Sequence, residues 1–231
     1  MYNEFDNAFS SVDTLKWLPW VGDNYLQTPQ EHRLLIIGES HYLDKTQTQA
    51  SIDKHDDANF TRKVIKEMAV DRNYYNRSKI FPNLHKALFR NDDFNSNIFW
   101  GHASYYNFIQ RPMKSIKQRP SNQDYLNGWN SFFKVRDILN PTICLFIGST
   151  AAYFFDESST KINLTHDKVK REDLISGSYA KYANLNNADG NKTELIFIRH
   201  TSQMFSWEKW NKYLTRKMPK TISWFEDTLK A

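Results

Sequence analysis

Leu34-Leu35-Ile36-Ile37-Gly38-Glu39-Ser40-His41-Tyr42 is the stretch that decides the fold. Four apolar residues in a row predict a buried strand, and the glycine ends it. Glu39, Ser40 and His41 follow at once, three side chains capable of acid–base or hydrogen-bonding work, and then an aromatic. In an open α/β sheet, ligands bind beyond the carboxyl ends of the parallel strands. A polar cluster just past a buried strand is therefore where chemistry is expected.

Three more apolar runs read as strands: residues 103–108, ending near Asn107; TICLFI, 142–147; and ELIFIR, 194–199. Helical patterns lie between them. Phe60, Val64 and Met68 recur every four residues and predict a helix over 58–70. Another starts near Pro82, a residue suited to a first helical turn, with Leu84 and Leu88 on one side. Ser121 with Asp124 three residues on is a helix-start pattern, and that helix stops at Asn140-Pro141. Short helices are expected near 13–17 and 151–155, and two more at 206–217 and 222–229. The segment 156–191 is polar without a clear period and has room for a helix near 168–176. Strands alternating with helices predict a parallel α/β sheet covered on both faces. One domain over 1–231 is expected, with 1–31 as an aromatic-rich N-terminal extension. The four strands then deliver the loops 39–42, 107–119, 149–150 and 200–205 to one sheet edge.

The chain has 231 residues, 40% hydrophobic and 15% aromatic, enough for a sizeable core. No apolar run of about 18 residues occurs, so no membrane span is expected. Met1 to Ser11 is polar and acidic, unlike a signal peptide. The single cysteine, Cys144, lies inside an apolar run, so a cytoplasmic protein with no internal disulfide is the expectation. The formal charge of +5 is compatible with a polyanionic partner and equally with an ordinary basic protein. No metal-type spacing of Cys and His occurs, and no Gly-rich phosphate loop follows a strand, so neither metal nor cofactor is expected.

Glu39 can act as a general base, orient a water or cap the following loop. His41 can be an acid, a base, a ligand or a surface histidine. Ser40 lacks the G-x-S-x-G elbow that activates a nucleophilic serine. His200 directly follows the last strand and can donate to developing negative charge, or bond a loop carbonyl. Thr201 and Ser202 can hold a phosphate or a local turn. Asn107 carries donors and an acceptor that can read a base edge, or it can form a turn. The loop after it holds Arg111, Lys114, Lys117 and Arg119 among two prolines, suited to phosphates or to solvent.

Together these segments resemble the uracil-DNA glycosylase superfamily. Its first motif reads GQDPYH in one branch and GEAPG in another, and here Gly38-Glu39-Ser40-His41-Tyr42 stands in that place. Asn107 resembles the family's base-reading asparagine, and 110–120 its basic, proline-containing loop. ILNPTICLFIGSTAAYFF is similar to its next strand–glycine–small-helix unit. His200-Thr201-Ser202, followed by Gln203, Met204 and Phe205, resembles its final motif and insertion loop. The resemblance covers residues 34–214. It implies a three-layer αβα sandwich around a four-stranded parallel sheet, and a base flipped out of DNA into a pocket. It further implies cleavage of the N-glycosidic bond of uracil or another modified base, without a cofactor and as a monomer. Glu39 and His200 would be catalytic. Gly38, Ser40, His41, Tyr42 and Asn107 would hold the base, and Arg111, Lys114, Thr201, Ser202 and Gln203 the DNA.

Ser40 departs from the water-activating Asp of one branch, and Thr201 replaces a proline. A non-catalytic nucleic-acid-binding module on the same fold is the alternative. Gly-Glu-Ser-His also resembles the start of erythromycin-esterase-like proteins, whose further Glu/His motifs this chain lacks.

Overall fold

In the computed structural model, which describes residues 3–43, 48–115, 117–186, 192–202 and 204–230, β2 (Leu34–Gly38) is buried at every position. Three of the strands beside it and beyond are parallel to it because helices intervene in the chain. β3 (Ser104–Asn107) pairs parallel along one edge of β2, with Gly38 opposite Asn107. β4 (Ile143–Ile147) pairs parallel along the other, and β7 (Lys192–Ile198) pairs parallel with β4.

The sheet has seven strands among the described residues and is mixed, in the order β1-β3-β2-β4-β7-β6-β5. β1 (Trp20–Val21) is antiparallel to β3. A hairpin of β5 (Lys170–Ile175) and β6 (Ser178–Asn186) extends the other side, antiparallel to β7. This corrects two sequence expectations. Where a helix had room near 168–176 the chain forms the strand Lys170–Ile175, and the sheet is wider than its parallel strands alone. The hairpin turns at Ser176 and Gly177, both with positive φ, which glycine adopts without strain. A register irregularity between Arg171 and Leu174 breaks the alternation that would have marked β5.

Side chains alternate across a strand, so each central strand feeds two cores. Leu34, Ile36, Leu145 and Ile196 pack on one face with α4 (Ile80–Phe89), α5 (Ser96–His102), α8 (Trp207–Lys217) and α9 (Pro219–Thr228). Leu35, Ile37, Phe146 and Phe197 pack on the other with Trp129, Phe132 and Phe133 of α6 (Asn122–Leu139) and Phe155 of α7 (Phe155–Lys161). The Ser121–Asp124 capping box starts α6, and Asn140 ends it in the left-handed conformation. Two shorter helices are α2 (Gln49–Lys54) and α3 (Phe60–Ile65), which runs into a π-turn at Lys66–Val70.

The N-terminal residues are not an appendage. α1 (Asp6–Ser10) lies where no helix was expected, and 13–17 holds a turn at 13–14 in place of the expected helix. Trp17, Val21 and Tyr25 are fully buried. Gln110 Oε1 accepts from the backbone N–H of both Lys16 and Trp17, which ties this segment to the loop after β3. No helix among the described residues is long and apolar enough to cross a membrane.

His85 and His41 are two of the histidines buried within the packing. Trp100 donates its indole N–H to His85 Nε2, so the ring's own proton sits on Nδ1, facing the Tyr75 hydroxyl at 2.8 Å. His41 Nε2 lies 2.8 Å from Thr61 Oγ1. Burial pushes both imidazoles down to about 3, helped by Arg72 near His85 and His55 near His41. Between about pH 6.5 and 3 the unfolded chain takes up protons that the folded chain refuses, so stability falls as pH falls. Each histidine contributes a slope of about 1.4 kcal/mol per pH unit in that window. Urea unfolding at pH 7 and pH 5 is expected to show this loss, reduced by about one proton in His41→Gln. Stability unchanged between the two pH values would contradict it.

Candidate active site

The carboxyl ends of β2, β4 and β7 open on one cleft of about 640 Å³. Glu39, Tyr42, Arg119, Gly148–Thr150, Arg199, His200, Ser202 and Met204 line it, with Ile80 at its side. Glu39 and His200, far apart in the chain, thus meet across it. β2 and β7 are parallel with only β4 between them, so their next residues emerge at the same edge.

Glu39 leaves β2 with its backbone held. Its carbonyl accepts from Ile109 N–H at 2.9 Å, after Gly38 has accepted from Phe108 at 2.9 Å. The two post-strand segments stay paired as far as Leu43 and Met113. The Glu39 carboxylate accepts from the Tyr125 hydroxyl through Oε1 at 3.1 Å. Tyr125, in the first turn of α6, stacks on Phe154 with centroids 5.1 Å apart and planes 7° from parallel. Burial pushes the Tyr125 phenol upward, and the neighbouring Glu39 charge adds to this, so it stays a donor.

His200 is largely enclosed. Its Nδ1 lies 2.9 Å from Ser202 Oγ, so Nε2 is the nitrogen available to the cleft. Burial lowers its pKa; the Glu39 charge opposes this and Arg119 adds to it. A neutral ring taking the Ser202 O–H on Nδ1 carries its proton on Nε2. The Ser202 loop is itself anchored, since Asn83 Nδ2 donates to the carbonyls of Thr201 and Ser202 at 2.8 and 2.9 Å.

The other expected residues separate into two groups. Gly38 is required where it stands: a Cβ there would lie 2.0 Å from Tyr105 Oη and 2.2 Å from Asn107 Oδ1. Tyr42 lines the cleft. His41 does not; its ring packs against Trp17 and Phe60 at centroid distances of 4.9 and 4.6 Å. Ser40 Oγ is buried with no hydrogen-bond partner. Asn107 is buried, and its Oδ1 accepts from Tyr105 Oη at 2.9 Å, so the amide oxygen is already engaged. Thr201 is fully buried with an unpartnered Oγ1. Gln203 lies outside the described residues. Arg111 forks onto Asp124 with two 2.6 Å bonds, and Asp124 is the acidic partner of Ser121 in the capping box that starts α6. Lys114 is exposed, with its backbone N–H donating to Gln118 at 2.6 Å. Arg119, from the same basic loop, is the cation that reaches the cleft.

Tyr125 and Arg199 are therefore site residues that motif order did not single out, while Arg119 was read only as one of four cations in a basic loop. Tyr125 lies inside the helix that starts at Ser121, where no motif marks it. Among the described residues no group of three or more His, Cys, Asp or Glu is placed to hold a metal ion. No protein-family model matches the chain, and comparison with curated proteins returns no significant match.

The basic loop divides into a structural and a site cation. Arg111→Gln is expected to lower thermal stability, because it strips the partner from a largely buried carboxylate. Arg119→Gln is expected to leave stability within about 0.5 kcal/mol, since it strips no buried partner. Equal effects of both variants on stability would refute the division.

Proposed function

We propose that the chain is a base-excising enzyme of the uracil-DNA glycosylase kind, acting on a uracil or modified base in DNA. The observation that carries this is the pairing of Glu39 and His200 across one cleft at the carboxyl edge of the sheet. We further infer the three-layer αβα sandwich of that superfamily. Its support is the row of parallel strands β3, β2, β4 and β7 with a core on either face.

The reaction breaks the bond between C1′ of the sugar and the base nitrogen. The bonding pair leaves with the base, and His200 Nε2–H donates to the oxygen on which negative charge develops. Such a donor, placed in advance, stabilises the transition state without reorganising. Glu39, held by Tyr125, stabilises the positive sugar and orients the water that adds to C1′, taking its proton. Arg119 and Arg199 flank the cleft and suit the adjacent phosphates. Met204, 81% exposed beside the cleft, occupies the place of the family's insertion loop.

A binding module without catalysis is favoured by two features: Ser40 stands where one branch has a carboxylate, and the Asn107 oxygen is bound by Tyr105. An abasic-site assay separates the readings. Oligonucleotides carrying uracil, hypoxanthine, xanthine or an alkylated base are incubated with the protein. Release of at least one base is expected, reduced about 10²–10³-fold in His200→Ala and about 10²–10⁴-fold in Glu39→Gln. Salt-sensitive DNA binding with no abasic product from any substrate would assign the module instead.

A further inference from the structure

Beyond Glu39 the cleft continues past Arg119, Tyr125 and Thr150 to Tyr153, whose ring is 64% exposed. The Lys181 ammonium lies 3.5 Å from the centroid of that ring and donates to the Ser149 carbonyl at 2.8 Å. Lys181 belongs to β6, and Tyr179, 44% exposed, lies two residues earlier on the same face of the strand. Arg171, opposite Lys181 in register, places its guanidinium 5.7 Å from the Tyr179 centroid. Two exposed aromatic rings, each accompanied by a cation, thus run from the cleft along the β5–β6 hairpin. The hairpin is fixed to the site, since Arg199, a cleft residue, donates to the Ser176 carbonyl at its turn.

On the β5–β6 hairpin the free charges favour a polyanion. The two carboxylates of β5 turn away to α8: Glu172 accepts from Tyr213 and Lys217, and Asp173 from Arg216. Proteins that hold single strands combine a positive track with aromatic rings on which bases stack, and stacking tolerates any base. A ring whose far side rests on an ammonium keeps its other face free for that purpose.

We propose that Tyr153 and Tyr179, with the exposed cations Arg171 and Arg119 beside them and the buried Lys181 backing the Tyr153 ring, form a stacking track for single-stranded DNA leading out of the cleft. The proposal rests on the reading of the cleft as a nucleic-acid site. It adds to that reading a strand path over the hairpin and a preference for unpaired nucleotides.

Binding of a fluorescent oligothymidylate and of a duplex of equal length tests it, with the full chain. Tyr153→Ala and Tyr179→Ala are each expected to weaken single-strand binding about 5- to 100-fold. The salt slope should be unchanged, because a ring neutralises no phosphate. Tyr153→Phe should bind as the unaltered chain does, since stacking needs only the ring. Tyr179→Ala stands as the second variant if Tyr153→Ala does not fold. If the unaltered chain binds the oligonucleotide and both alanine variants bind equally well, the track is wrong and the cleft reading survives. If the unaltered chain binds no DNA, the cleft reading fails and the track with it. A dimer in sedimentation that is lost in Tyr179→Ala would give the row to a second copy and overturn the proposal.

Discussion

β2 is enclosed on four sides, and the rest of the molecule depends on that. Its edges are paired to β3 and β4, and its two faces are sealed by separate cores. A slip of one residue would exchange every side chain between the cores, so the register is strongly specified. The strand therefore delivers Gly38 and Glu39 to one place only. Gly38 adds a second restraint, since the Tyr105 hydroxyl and the Asn107 amide occupy the space any side chain would need. The backbone pairing continues past the strand to Met113, which keeps the loop carrying Glu39 in line with the loop after β3.

The site is built by rigid elements rather than by its own loops. Glu39 is oriented from α6, His200 by Ser202, and the Ser202 loop from α4 through Asn83. The same economy explains residues that looked reactive but serve as support. Arg111 completes the start of α6 through Asp124, and α6 presents Tyr125 one residue later. His41 closes an aromatic cluster with Trp17 and Phe60 that backs the first loop.

The central strands were legible because both of their faces are apolar, which leaves no other use for runs such as LLII and TICLFI. The cleft edge followed from strand–helix alternation, and with it the meeting of Glu39 and His200. Three features were hidden for physical reasons. The β5–β6 hairpin sits at the sheet margin, where exposed charges and a register irregularity erase the period-two signal. Trp20–Val21 is too short to show any period. Side-chain partnerships such as Asn107 with Tyr105 depend on which hydroxyl comes within reach. That pair was accessible in principle, since residues two apart on a strand share a face. The apolar run placed Asn107 at the strand end without revealing that its oxygen is engaged.

The central claim is that Glu39 and His200 share one cleft, and titration of the His200 imidazole by NMR tests it most directly. The Glu39 carboxylate pulls the His200 pKa upward against burial and Arg119. Removing that charge in Glu39→Gln is expected to lower the His200 pKa further, while His85, in the packing on one face of the sheet, keeps its own. An unchanged His200 titration in Glu39→Gln would mean that the two residues do not face each other, and would contradict the account.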